Sequence, residues 1–442
     1  MTPLKGLPPG MLLYLLLQLV VLLGTAHLLG ELARRWKQPA VLGNILAGVL
    51  LGPSVLGHWF PALQLAIFPH DQNQGNLLSA VTWIGLLLLL VSTGLETDLD
   101  LIVRRWRISI FASAGGIVVP LVSGYFLGKF IPGSFLAHPG DRLAFSLFIA
   151  VAMCISSLPV LASIMREMKT IPPNTRHIAL AAAMMDDTVG WTLLAIVSGL
   201  FLSGRFDKWI VVRMVGIAVL FLLASYIVGR PLVRRIVSWT DSVSPHPSAQ
   251  LAVLVLLGLA GGSITHSMGM EATLGAFIVG VLVGTVPSIR KETSNSLDLI
   301  VTSFLGPIYF GLAGTRFDLW GLLHWDTFLV ALAVIGIACF GKIVGVYFGA
   351  WSGGVSHWER LALSFGMNAR GAVEIIVATL GYSMGLLNLQ MYSIIVLMAV
   401  ATAVMAGPMM KWAVSHLDTV GSEVELLPAS GLAHVALSAS RN

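Results

Sequence analysis

The sequence predicts an all-α polytopic membrane protein of about thirteen transmembrane helices, laid out as two inverted six-helix repeats joined by a linker helix. Three observations lead there: a composition poor in charge, apolar runs of bilayer length along almost the whole chain, and ordered internal matches between its halves. Of 442 residues, 56% are hydrophobic and only 11% charged, against roughly 25% charged in a soluble domain. Apolar runs close to the roughly 20 residues that cross a bilayer recur between short polar joints. Only helices and closed barrels satisfy their backbone groups in lipid, and these runs lack the alternation of barrel strands, so they are read as helices.

In chain order the spans are 11–30, 39–56, 77–95, 108–131, 143–165, 178–203, 209–228, 251–265, 272–286, 299–315, 328–351, 361–382 and 391–412. The first follows Lys5 as a secretion signal would. Its apolar run is long, however, and no small-x-small cleavage pattern closes it cleanly, so it is taken as a retained helix. Cys154 and Cys339 both lie inside apolar runs, which argues against a disulfide framework or a metal cluster. The formal charge of +5 forms no soluble basic patch for nucleic acid, because the basic residues occupy the joints. No GxGxxG or phosphate-binding loop occurs, so neither a nucleotide nor any other cofactor is expected.

The joints also set orientation. Lys5, Lys129, Arg142, Arg205, Lys208, Arg213 and Arg316 lie on one side, seventeen of the 26 basic residues lie on the other, and only Lys342 and Arg370 fall deep inside spans, Lys129, Arg213 and Lys411 being near span ends. The richer side is cytoplasmic by the positive-inside rule. With an odd number of spans, the amino terminus is then outside the inner (plasma) membrane and the carboxyl terminus inside.

The repeat is read from three matches. PAVLGNILAGVLLG at 39–52 agrees with EATLGAFIVGVLVG at 271–284 in seven of fourteen positions, TGLETDL at 93–99 returns as AGTRFDL at 313–319, and RLAFS at 142–146 returns as RLALS at 360–364. They pair span two with nine, three with ten and five with twelve, an offset of seven that inverts the second half. Small-residue packing alone produces single matches of this kind in membrane helices. Three in order imply a first repeat at 1–203, a linker helix at 204–235, a second repeat at 248–416 and a short disordered cytoplasmic tail at 417–442. Inverted repeats are the architecture of secondary transporters, with the site near the midplane where broken helices meet.

Five charges sit deep in apolar sequence: Asp186, Asp187, Lys342, Arg370 and Glu374. Each costs roughly 2.5–3.5 kcal/mol at a helix centre unless it is paired or faces water. Asp186 and Asp187 are neighbours on one helix, about 100° apart, so they cannot face the same partner. One can pair with a fixed cation while the other lines a cavity, where a carboxylate binds either a proton or a dehydrated alkali ion; hard cations prefer such oxygen ligands. Static salt bridges on both acids are the alternative. Span five carries SSLPV at 156–160, and Pro159 predicts a break at Leu158 with Ser156 and Ser157 beside it. Span twelve carries GMNARG at 366–371, a glycine-flanked interruption containing Asn368 and Arg370. Interruptions at matching places in two halves point to a transport site. Arg370 and Glu374, four apart, are expected to neutralise each other. Lys342 has no acid three or four residues away, so its partner is expected from another helix, Asp186 or Asp187.

These motifs resemble the second monovalent cation:proton antiporter family, which includes bacterial sodium/proton antiporters, Kef-type potassium efflux systems and plant and fungal cation/proton exchangers. The resemblance runs over about 30–412, through QPAVLGNILAGVLLGPSVLG at 38–57, SSLPVLASIMREM at 156–168, the MDD of span six and NARGAVEIIVATLG at 368–381. It implies a sodium/proton antiporter-like fold: crossed, broken helices in a core domain that moves against a flatter dimerisation domain, hence a homodimer. It also implies that Asp187 carries the proton or the cation, Na+ or K+, while Asp186 pairs with Lys342. The Arg370-Gly371-Ala372-Val373-Glu374 order departs from the RGEV of sodium/proton members towards the plant and fungal exchangers, whose first acid is often Asn, so the ion and its ratio to protons stay open. Kef-type members usually add a nucleotide-binding domain that this sequence lacks.

Two other classes compete with this reading. A sodium-coupled symporter of an organic solute would want a polar or aromatic pocket, and none is evident. An intramembrane aspartyl protease needs two carboxylates converging on one water, whereas adjacent acids on one helix point apart; the chain is not read as an enzyme. The orientation is tested with reporters: one fused after Asn442 should read as cytoplasmic and one in the joint at 60–75 as external, and both on one side would break the repeat argument.

Overall fold

A computed structural model of the chain describes residues 9–36, 38–69, 71–96, 106–167, 171, 173–202, 208–244, 246–287, 289 and 291–425. Every span range falls on a helix or a pair of helices. These are Pro9–Arg35, Ala40–Leu51, Gln72–Leu95, Trp106–Phe130, Arg142–Cys154 with Leu158–Glu167, and Pro173–Leu202 in the first half. Lys208–Ala224 follows, then Pro247–Ser267, Ala272–Gly284, Lys291–Ile300 with Gly306–Thr315, Trp325–Trp351, His357–Met367 with Ala372–Ser383, and Leu389–Glu425. Among the described residues ten helices are long and apolar enough to cross a membrane, and the pair around 368–371, bent by 42°, makes an eleventh. Arg142–Cys154 and Ala272–Gly284, 13 residues each, are too short to cross alone.

Two expected boundaries move. The final helix runs to Glu425, so the disordered tail expected from 417 does not begin there; its remainder lies outside the described residues. The helix from Lys208 does not end at 235 but continues through a π turn at Ser225–Gly229 into Arg230–Val243. A second π turn, Val301–Leu305, joins Lys291–Ile300 to Gly306–Thr315. Each π turn ends just before a proline, Pro231 or Pro307. Proline lacks a donor and clashes with the carbonyl four residues back, and a widened turn lets the helix continue through it.

The repeat motifs explain their own glycines. A Cβ on Gly48 would collide with the Gly311 and Gly314 backbones, and a Cβ on Gly280 with those of Val91 and Gly94. Gly48 and Gly280 are equivalent positions in the first internal match, and Gly94 and Gly314 in the second. The same backbone crossing is therefore made twice, by Ala40–Leu51 on Gly306–Thr315 and by Ala272–Gly284 on Gln72–Leu95. In lipid such close approach is a main source of helix association, because apolar side chains gain little by leaving the acyl chains. Trp106–Phe130 and Trp325–Trp351 are joined in the same way, Gly115 against Gly345 and Gly349 against Phe111.

Gly280→Val should lower stability by about 1–3 kcal/mol or prevent assembly, as overpacking does, and Gly48→Val should do the same. The readout is the thermal midpoint of the purified protein; midpoints equal to that of the parent would show that these crossings are not close-packed.

Candidate ion site at two crossed helix breaks

Each broken helix stops where its residues stop supplying helical backbone. Arg142–Cys154 ends at Ile155, whose ψ of 146° is extended, and Leu158–Glu167 resumes after Ser157. The gap is thus Ile155–Ser157, not Leu158 as the proline suggested. Pro159 lies in the first turn of the second half, where a missing donor costs nothing. The other gap is Asn368–Gly371, between His357–Met367 and Ala372–Ser383.

The two gaps cross. The Ser157 N–H donates to the Ala369 carbonyl at 2.9 Å, and Ser156 Oγ donates to the Met367 carbonyl at 2.8 Å. A Cβ on Gly371 would sit 2.7 Å from Val160 Cγ2, so a side chain there would push the chains apart.

Around the crossing, the charges divide into a satisfied set and an unsatisfied one. Asp186 accepts from three donors: Ser113 Oγ at 2.6 Å, Lys342 Nζ at 2.5 Å, and Ser156 Oγ at 3.0 Å, whose one hydroxyl proton it shares with the Met367 carbonyl. Lys342 Nζ also donates to the Cys154 carbonyl at 2.6 Å. Arg370 donates to the carbonyls of Ala152 at 3.1 Å, Met153 at 2.6 Å and Ala338 at 3.3 Å. The last three carbonyls of Arg142–Cys154, which have no partner within their own helix, therefore all receive donors from buried cations, the sign of charge that suits a helix C-terminus.

Arg370 and Glu374 do not pair as expected from their spacing. Four residues share a face only on a continuous helix, and the break lies between them. Arg370 sits in the gap, while Glu374 caps the following helix, accepting the Gly371 N–H at 2.7 Å. Among the described residues Lys342–Asp186 is the one fully buried ion pair.

Asp187 stands apart from this network. Only 1% exposed, it has no hydrogen-bond partner on either carboxylate oxygen. Ser157 Oγ, Asn368 Oδ1 and Glu374 Oε1 are likewise buried without partners, at or beside the two breaks; Asn368 reaches Cys339 Sγ at 3.5 Å only through its amide nitrogen. Unsatisfied oxygens are what a proton or a hard cation would answer. Among the described residues no three His, Cys, Asp or Glu side chains gather as a metal cluster.

One member of the set was not singled out from sequence. Ser113 lies in SAGG at 113–116, where Gly115 permits the close approach of the lysine-bearing helix and a Cβ on Gly116 would sit 3.5 Å from Lys342 Nζ. A hydroxyl beside two glycines in a span was the available signal, but nothing linear connected it to Asp186.

Residues 19–416 match the family described as sodium/hydrogen exchanger, transmembrane. The chain belongs to this family. It is 30% identical over 405 residues to the Na(+)/H(+) antiporter NhaS4 of Synechocystis, covering 90% of this chain and 96% of the relative. It is also 30% identical over 397 residues to Cation/H(+) antiporter 19 of Arabidopsis thaliana, covering 89% of this chain but 49% of the relative, so it spans about half the length of such plant relatives. Among solved structures, the sodium proton antiporter MjNhaP1 of Methanocaldococcus jannaschii superposes with a TM-score of 0.63 at 18% identity, covering 91% of this chain and 98% of that one. The likeness is one of fold: a multi-pass, helical membrane protein of the exchanger family.

In this chain the lysine and Asp186 depend on each other. Lys342→Met should leave Asp186 a buried, uncompensated charge and cost about 3–5 kcal/mol. Adding Asp186→Asn should recover most of that loss, because the amide needs no counter-ion. A double-mutant cycle in thermal midpoints tests it; additive losses would mean that the pair does not couple.

Proposed function

We propose that the chain is a secondary transporter that exchanges a monovalent cation, Na+ or K+, for protons by alternating access, with Asp187 holding proton and cation in turn. The supporting observation is the contrast between neighbours: Asp186 has three donors, whereas Asp187 is as buried and has none. A lone carboxylate in a low-dielectric site is costly as an anion. A proton or a cation removes that cost, and each excludes the other. Competition for one site that opens to each side in turn is sufficient for exchange. The antiporters named among the relatives of this chain support the same reading, and nothing supports the solute symporter.

In this reading Lys342, Ser113 and Ser156 hold Asp186 in place, and the breaks carrying Ser157, Asn368 and Glu374 supply further oxygens near the cation. When the cation arrives, the Lys342–Asp186 bridge opens. A freed ammonium in apolar surroundings is costly, and shedding its proton removes the cost, so two protons exchange for one cation and the cycle moves net charge. The core domain that carries the crossed breaks moves against the flatter dimerisation domain, in a homodimer of the inner membrane with its carboxyl terminus in the cytoplasm.

The test is pH change in proteoliposomes against a panel of sodium, potassium, lithium and rubidium. Asp187→Asn should reduce exchange to the level of empty liposomes while the protein stays folded, and Asp186→Asn should leave partial exchange. Wild-type rates should respond to an imposed membrane potential, and Lys342→Gln should exchange more slowly and ignore it. Wild-type rates in Asp187→Asn would overturn the assignment of the carrier; voltage-insensitive wild-type exchange would overturn the two-proton cycle.

A further inference from the structure

We propose that a cavity at the arginine-rich end of the helix beginning at Lys208 binds the phosphate headgroup of an anionic phospholipid. Arg230 and Arg234 lie one turn apart at the start of Arg230–Val243. With Pro231 they line about 350 Å³ of space, bounded across the gap by Thr285 and Val286 at the end of Ala272–Gly284. The two helices approach closely just before this point, where a Cβ on Gly229 would sit 3.1 Å from Leu282 Cδ1.

Its charge has no answer within the described residues. Neither arginine takes part in their ion pairs, which are Arg34–Glu31 and Lys342–Asp186. The acid on the same helix, Asp241, is engaged by Gln250 Nε2 at 2.6 Å. Like charges one turn apart repel, and an anion between them removes that repulsion. Arg230 is held over the Tyr226 ring at 5.7 Å from the centroid, which limits the directions its guanidinium can face. Two guanidiniums present paired N–H donors that match phosphate oxygens.

The surroundings favour a lipid over free phosphate. Ile227, Val228 and Leu232 are exposed next to the arginines, and the apolar window of this helix is only 6% buried. A headgroup in the cavity would lay its acyl chains along that apolar surface, which an inorganic ion does not use. Basic pockets between membrane helices take anionic headgroups in this way.

The experiment is independent of transport. The purified full chain in detergent is titrated with phosphatidylglycerol, phosphatidylcholine or inorganic phosphate, and its thermal midpoint is read. Phosphatidylglycerol should raise the midpoint by about 3–6 °C, as a ligand specific to the folded state does, and the other two should not. R230Q/R234Q should lose at least half of the rise and R34Q/R35Q, arginines away from the cavity, should keep it. If the double variant cannot be purified, R234Q alone is read in the same assay. A full rise in the cavity variant, an equal loss in R34Q/R35Q, or a rise with phosphate alone would each overturn the proposal.

Discussion

The arrangement depends on three backbone carbonyls. Arg142–Cys154 ends in the middle of the protein, and the carbonyls of Ala152, Met153 and Cys154 have no helical partner there. In a membrane interior an unsatisfied carbonyl costs several kcal/mol. Arg370 and Lys342 answer them, and this requires two further breaks in the rules for apolar spans: a second helix interrupted so that Arg370 sits in its gap, and a lysine in an otherwise apolar helix. The lysine in turn requires Asp186. Broken helix, arginine, lysine and aspartate are thus one electrostatic unit, and removing any member leaves a buried charge or dipole without a partner.

Asp187 is outside that unit, and its separation follows from helix geometry. One residue of displacement turns the side chain by about 100°, enough to give one acid three donors and the other none. Gly190, one turn further on, leaves room for Ile155 at the first break; a Cβ there would sit 2.6 Å from Ile155 Cγ1. The aspartate-bearing helix can therefore lie directly against the gap. The satisfied acid belongs to the scaffold, and the unsatisfied one has capacity for a ligand.

Around this unit the helices touch backbone to backbone at glycines. The crossings at Gly48 and Gly280 occupy equivalent positions in the two halves, so a motif that looks like generic small-residue composition is a specific contact made twice. Contacts of this kind bring two backbones together with few interlocking side chains between them.

The helical class, the helices that underlie the span ranges and the five buried charges were legible in the sequence, because the bilayer acts on each segment locally: length, hydropathy and the cost of a charge are properties of a window of residues. The internal matches were legible for the same reason, as glycines must recur where backbones touch. What required the tertiary structure was how the charges pair. Four-residue spacing joined Arg370 to Glu374 on paper, but the break between them sends the arginine to carbonyls of another helix and leaves the glutamate as a cap. Ser113 entered the site through a helix that meets it only in space. Proline marked a broken helix, yet the gap fell before it, since proline is tolerated in a first turn. Residues distant in the chain meet according to packing, and packing alone decided that Lys342 faces Asp186 and that Asp187 faces no donor at all.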